Sequence, residues 1–408
     1  MILPVDNTES TGSFKSGVNM VLTAVGVGVL ALPLAIAQSG WAIGVLLLFA
    51  TWALSQTMMY LLWKCIMTEM ERGVFVMDSY GAVGEAALGK SGRYLVAAAT
   101  YITLSALCVI ILILLAGGLF SLTGVLTIDA WTLIAAIIVL PLSWLPTLKE
   151  VAIISTFGLI GVCTIGIVVL VAAITMDSSQ RGDISHFPGT VSGLVMSFIE
   201  FMNSYAVAAV IPTIISGMKD PNTFPKVSAY AFVTISVCFA VIGFAGYLGW
   251  GDKLLDSDGN ITSMLSDGVL NTICQVSIIF VTLSHFLVVF NPVALFADSV
   301  LDLLPVNHTK GSAILMHIFA RSALVGFFLL LALYIPSFGT IVNLLGSTVV
   351  MPLQVLFTIW FYSIICRLDI RSWSTTRQSI TYAFFIVAVF LSLLVMGYGL
   401  FNVITHWK

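Results

Sequence analysis

The chain has 408 residues, 59% of them hydrophobic and only 9% charged, where soluble domains carry about 25% charged residues. Its net charge of −3 and lack of any Lys/Arg-rich block argue against a nucleic-acid partner, and its apolar runs leave no room for a soluble domain. It reads as an all-α integral membrane protein.

Apolar runs between polar breaks predict about eleven transmembrane helices. They recur almost to the C-terminal end, so the first is not a removable signal followed by a soluble domain. After a cytoplasmic tail over 1–15, the first five fall at 16–38, 42–66, 93–122, 131–148 and 150–176. The next five fall at 191–217, 226–250, 269–301, 313–335 and 338–366, and an additional helix at 378–404. With the N-terminus in the cytoplasm, only Arg181, Lys253 and Lys408 of the 16 basic residues fall outside, as the positive-inside rule requires. The outer loop Gly251 to Gly268 carries an N-I-T sequon at Asn260, usable if the host glycosylates, whereas a second sequon at Asn307 falls inside and should be silent.

The first helix, in "VLTAVGVGVLALPLAIAQSGW" from Val21, carries Gly26, Gly28 and Pro33 near mid-membrane. Irregular backbone at that depth is tolerated only where it faces protein or a watery cavity. Unwinding around Val25 to Val29 would leave an outer half-helix whose free N–H groups and dipole attract a carboxylate, with Pro33 in its first turn. Gly28 is expected to need backbone angles open mainly to glycine. A kink or close helix packing is the alternative.

The sixth helix repeats the pattern: "SYAVAAVIP" from Ser204 echoes "AVGVGVLALP" from Ala24. Helices 1 to 5 (16–176) and 6 to 10 (191–366) would then be two repeats, inverted because each has an odd number of helices, with a midplane transport site at the two interruptions.

Only Glu200 and His285 are ionisable and well inside the apolar cores. Such residues are expensive in lipid and mark function by default. Glu200, just outside the break in helix 6, suits a carboxyl that takes and releases a proton, or a structural acid bonded between helices. His285, midway along helix 8, suits a proton relay or a neutral bond to a neighbouring helix. Thr282 and Ser284 beside it offer hydroxyls for a sodium site, although such groups also bond back to their own helix. A buried carboxyl is rarer than a buried hydroxyl, which favours protons over sodium. Tyr101, Thr103 and Ser105 on helix 3, and Asn343, Ser347 and Thr348 on helix 10, are further polar candidates for the cavity wall.

Cys108, Cys163, Cys238 and Cys274 lie in apolar runs and Cys65 and Cys366 near helix ends, none with metal-ligand spacing. They read as packing residues, with lipidation of Cys65 or Cys366 as the alternative.

Six motifs in order resemble the amino acid/auxin permease family, most of all its vesicular and vacuolar amino acid transporters. They are "GVGVLALPLAIAQSGW" from Gly26, "DSYGAVGEAALGKSGR" from Asp78, "PTIISGMKDPNTFPKV" from Pro212, "GYLGWGD" from Gly246, "FNP" from Phe290 and "FGTIVNLLGS" from Phe338. The resemblance implies a five-plus-five inverted-repeat fold with one extra helix, moving amino acids with protons or sodium. It implies that Gly26, Val27, Gly28 and Val29 hold the substrate carboxylate, and that Asn203, Ser204, Tyr205, Ala206 and Val207 meet its amino group and side chain. The chain departs from the family at Thr358, where a proline is expected and Pro352 stands earlier, and at Asn203 to Ala206, which replace a glycine-rich turn.

The expectation is a secondary active transporter of small neutral amino acids, acting as a monomer in lipid, proton-coupled rather than sodium-coupled, with no cofactor, no metal and no enzymatic activity. An amino-acid-sensing receptor is the competing class. No G-x-x-x-x-G-K-[ST] loop occurs, so transport would draw on gradients. Nothing in the sequence selects between plasma membrane and vacuolar, lysosomal or vesicular membrane.

Overall fold

The computed structural model describes residues 12–73, 77–144, 148–301, 310–335 and 338–405. Most of the predicted cytoplasmic tail, the Asn307 sequon and Lys408 lie outside them. Among the described residues, eight helices are long and apolar enough to cross a membrane. The shorter apolar helices at Gly28–Ser39, Ile128–Ser143 and Ile160–Thr175 account for the remaining predicted helices 1, 4 and 5.

Helix 1 is broken. Its inner half is α1 (Ser13–Ala24), and its outer half is α2 (Leu32–Ser39), joined by an unwound pair and a 3₁₀ turn over Val27–Ala31. Helix 2 is α3 (Trp41–Glu71), a short connecting helix α4 (Tyr80–Leu88) follows, and helices 3, 4 and 5 are α5 (Lys90–Thr123), α6 (Ile128–Ser143) and α7 (Leu148–Thr175). Helix 6 is broken in turn into α8 (Val191–Ser204) and α9 (Ile211–Ser216). Helices 7, 8 and 9 are α10 (Phe224–Trp250), α11 (Val269–Leu301) and α12 (Lys310–Tyr334). Helix 10 comprises α13 (Phe338–Leu345), two wide π segments over Gly346–Val350 and Pro352–Leu356, and α14 (Phe357–Ile365). A short α15 (Arg367–Ser372) leads to helix 11, α16 (Thr375–Thr405).

The two breaks correspond closely. Each has a first half-helix, a 3₁₀ turn and a second half-helix with proline as its second residue, Pro33 in α2 and Pro212 in α9. Proline costs little there, because the first turn of a helix has no internal acceptor for its N–H groups. The halves run in opposite senses, as expected for inverted repeats. Glycines let the helices meet: a Cβ on Gly193 would come within 2.9 Å of the Gln38 carbonyl, and one on Gly246 within 2.6 Å of the Pro33 ring.

The outer end is closed. The loop after α10 buries Leu254, Ile261 and Thr262, and is held by Gly339 N–H donating to the Asp258 carbonyl at 3.0 Å and Gln275 Nε2 donating to the Thr262 carbonyl at 3.1 Å. Asn260 is part of this cap: its Oδ1 accepts from the N–H and the hydroxyl of Thr262, and only 8% of the residue is exposed. The sequon is therefore folded away, contrary to the expectation of a usable acceptor. Lipidation of Cys65 or Cys366 is likewise ruled out in the folded chain, because both are buried.

On the inner side α1 lies along α10, with Ser13 Oγ 3.1 Å from Thr223 Oγ1 and Gly17 facing Val227. Asn19 and Thr23 are exposed on α1, and the α11 surface one to three turns below His285 is uncovered at Val288, Pro292 and Leu295.

Candidate functional site

At the helix 1 break α1 ends at Ala24, and Gly26 takes φ −120°, ψ −149°. Its N–H donates to the Ala24 carbonyl at 2.9 Å and its own carbonyl accepts from Val29 N–H at 3.3 Å. No glycine here has a positive φ, so the expectation of glycine-only angles at Gly28 is not met. A Cβ at Gly28 would find nothing nearer than 3.7 Å, the Ser204 Cα and Oγ. The tight position is Gly26, where a Cβ would lie 2.8 Å from His285 Cε1 and 2.9 Å from its Nε2. The imidazole thus lies on the bare backbone of the break, and among the described residues no hydrogen bond is made by it. Val29 is buried, and the Val27 side chain is outside the described set.

At the helix 6 break Tyr205 N–H still reaches the Phe201 carbonyl at 3.2 Å, and Ala206 and Val207 turn through short bonds to Asn203 and Tyr205 carbonyls. Ser204 Oγ donates to the Glu200 carbonyl at 2.9 Å and approaches the Gly28 carbonyl at 3.3 Å, linking the two breaks directly. Asn203 is partly exposed and sits beside Gly346 of helix 10. Tyr205 turns away: it stacks on Phe232, meets Phe239 of α10 at a tilt and shares a 2.6 Å hydrogen bond with Ser236. Ala206 is partly exposed and Val207 buried.

Glu200 lies one turn outward of the break. Residues 193, 197, 200 and 204 form one stripe of α8 by helical spacing, and Gly193 against Gln38 and Ser204 against Gly28 show that this stripe faces antiparallel α2. Glu200 is 1% exposed and Ser197 fully buried. Both carboxyl oxygens of Glu200 and the hydroxyl of Ser197 have no hydrogen-bond partner among the described residues. Ser197 was legible in the sequence as a hydroxyl one turn from the acid.

Thr282 lies one turn from His285 on α11, whereas Ser284 turns to a different face. Thr282 Oγ1 donates to the Ile278 carbonyl at 2.8 Å, and Ser284 Oγ to the Phe280 carbonyl at 2.8 Å while abutting Gly158 of α7. On helix 3, Tyr101 stacks on Phe296 at 4.3 Å and Thr103 bonds back to the Ala99 carbonyl. On helix 10, Ser347 and Thr348 bond back to Asn343 and Leu344 carbonyls, while Asn343 Oδ1 is buried without a partner among the described residues. Sequence reasoning missed the buried pair Gln354 and Ser55, joined at 2.7 Å between helices 10 and 2. Among the described residues no group of His, Cys, Asp and Glu has the arrangement to hold a metal ion.

Residues 9–405 match the family described as transmembrane amino acid transporter protein. The chain is 27% identical to the amino acid transporter AVT1H of Arabidopsis thaliana over 372 residues, 88% of this chain and 83% of that protein. It is 27% identical to AVT3B of the same plant over 354 residues, covering 83% and 82% of the two chains. Among solved structures it is similar to Mhp1, a nucleobase-cation-symport-1 family transporter in a closed conformation with bromovinylhydantoin bound. That likeness has TM-score 0.55 at 15% identity over 97% of this chain and 91% of the other. A sodium-coupled sialic acid symporter has TM-score 0.50 at 14% identity over 96% and 90%. These likenesses fix the fold as that of inverted-repeat transporters. With the family match running over residues 9–405, its multi-pass helices and its paired breaks, the chain belongs to the transmembrane amino acid transporter family.

Proposed function

We propose that this secondary amino acid transporter takes small neutral substrates at the paired breaks and couples their movement to protons through Glu200. The broken helix 1 offers backbone groups and a half-helix N-terminus to the substrate carboxylate at Gly26 to Val29. Asn203, Ser204 and the backbone of the helix 6 turn face the amino group and side chain. Tyr205, packed into α10, acts as a wall behind them. His285 closes the site from α11 by lying over Gly26.

The observation that carries the coupling is the buried, unpartnered carboxyl of Glu200 between α2 and α8. An ionised carboxylate sealed there without a counter-charge would cost several kcal/mol, so closure of α2 on α8 goes with the neutral acid. Opening the outer halves admits water and lets the proton exchange. The closed cap over the outer halves supports an inward-facing state of such a cycle. The hydroxyls of Thr282 and Ser284, already bonded to their own helix, and in Ser284 turned to Gly158 of α7, give less support to a sodium site.

Glu200→Gln tests this. The amide mimics the neutral acid but cannot release a proton, so gradient-driven accumulation in liposomes should fail while exchange of labelled for unlabelled amino acid survives. PH-driven accumulation retained in this variant would sink the coupling role. Loss of both activities together would make Glu200 structural.

A further inference from the structure

Helix 10 is interrupted by wide turns at Gly346–Val350 and Pro352–Leu356. Such turns are rare and concentrate at functional sites. Pro352 has no N–H, so one rung of the α-helical ladder is already missing, which lowers the cost of the wider register. The segment adjoins the site: a Cβ at Gly346 would lie 2.6 Å from Ile199 Cγ2 and 3.4 Å from Asn203 Cβ.

The second wide turn is held from the cytoplasmic side. Tyr80, the first residue of α4, is 2% exposed. Its hydroxyl donates to the Leu353 carbonyl at 2.7 Å and shares a 2.9 Å hydrogen bond with Thr358 Oγ1, while its ring meets Phe361 edge-on. In an α-helical register the Leu353 carbonyl would accept from residue 357, and in a π register from residue 358. A phenol donated to that carbonyl compensates for the poorer backbone bond of the wide form.

The helix carrying Tyr80 is itself anchored at both ends of the device. Gly84 packs on Gly92 of α5 so closely that a Cβ would lie 2.7 Å from the Gly92 carbonyl. Two residues before Tyr80, the Asp78 carbonyl accepts from Thr213 Oγ1 of the inner half-helix α9 at 2.7 Å. Residues 78 to 80 therefore tie the inner half of helix 6 and the middle of helix 10 to the foot of helix 3.

We propose that Tyr80 is a positioning residue that holds the wide-turn form of helix 10 and, through it, the inward-facing state of the transporter. This rests on the alternating-access reading above. When the outer end opens, α8 shifts against Gly346, helix 10 changes register, and the Tyr80 bond is released.

The test uses full-length protein in liposomes and two reporters, each adding one cysteine to the six of the parent chain, labelled by a membrane-impermeant thiol reagent, with the parent chain as blank. Thr23→Cys reports inner access and Ser197→Cys, sealed between α2 and α8, reports outer access. The ratio of the two labelling rates follows the conformational equilibrium and needs no substrate. Tyr80→Phe keeps the ring and removes the donor, and should move the ratio about 2- to 10-fold toward outer access, the net weight of one hydrogen bond. Thr358→Val, which removes the hydroxyl paired with Tyr80, should move it the same way, and supplies the test if Tyr80→Phe does not insert. An unchanged ratio, or a shift toward inner access, overturns the role of Tyr80 even if the variants are less stable. Failure of Ser197→Cys to label from outside in the Tyr80 chain would instead overturn alternating access itself.

Discussion

Gly26 is constrained by a neighbour rather than by its own backbone angles. The His285 ring occupies the space where a side chain would stand, whereas Gly28 has ordinary room before Ser204. Gly26→Ala should therefore lower substrate binding at least about tenfold, the effect of forcing an extra carbon into a packed contact, while Gly28→Ala binds nearly normally. Cutting His285 to Ala in the Gly26→Ala chain should restore binding, measured by scintillation proximity or calorimetry. Equal loss at Gly26→Ala and Gly28→Ala would show that backbone freedom is the limiting factor. At Asn260, whose amide oxygen is taken by Thr262 in a buried cap, folded protein from a glycosylating host should carry no glycan. Wild type and Asn260→Gln should run identically on a gel with and without glycosidase, and a mobility shift in wild type alone would contradict the closed cap.

At the scale of elements, the two broken helices depend on small residues where helices cross and on proline where a half-helix begins. Gly346→Ala pushes a carbon toward Ile199 at 2.6 Å and should destabilise the protein by about 1–3 kcal/mol, read as a lower melting temperature in detergent. Gly117→Ala, where a Cβ meets nothing within 4 Å, should leave it unchanged. The breaks were legible in the sequence because two helices carry a run of small residues followed by proline at corresponding places: Pro33 and Pro212 fall in the first turns of their half-helices. Glu200 was legible as a costly residue in lipid. Side-chain direction was not legible, since spacing alone leaves open which of two neighbouring helices a residue faces. Tyr205 faces α10 and Ser284 faces α7 for that reason. The link from Tyr80 to Leu353 spans 273 positions of chain and ends on a backbone carbonyl, which has no signature in residue type.

For the whole molecule, the eleven-helix count and the charge distribution predict that the ends lie on opposite faces of the membrane. Tags at the two termini should be accessible from opposite sides, the N-terminal one from the cytoplasm. Finding both on one side would mean that the helix count is wrong by an odd number. The proposed transport cycle has the driving force as its central claim. Purified protein in liposomes, given a panel of small neutral amino acids, measures it. The account predicts accumulation driven by an imposed proton gradient in the absence of sodium and abolished by a protonophore. Accumulation that follows an imposed sodium gradient and ignores the proton gradient would contradict it.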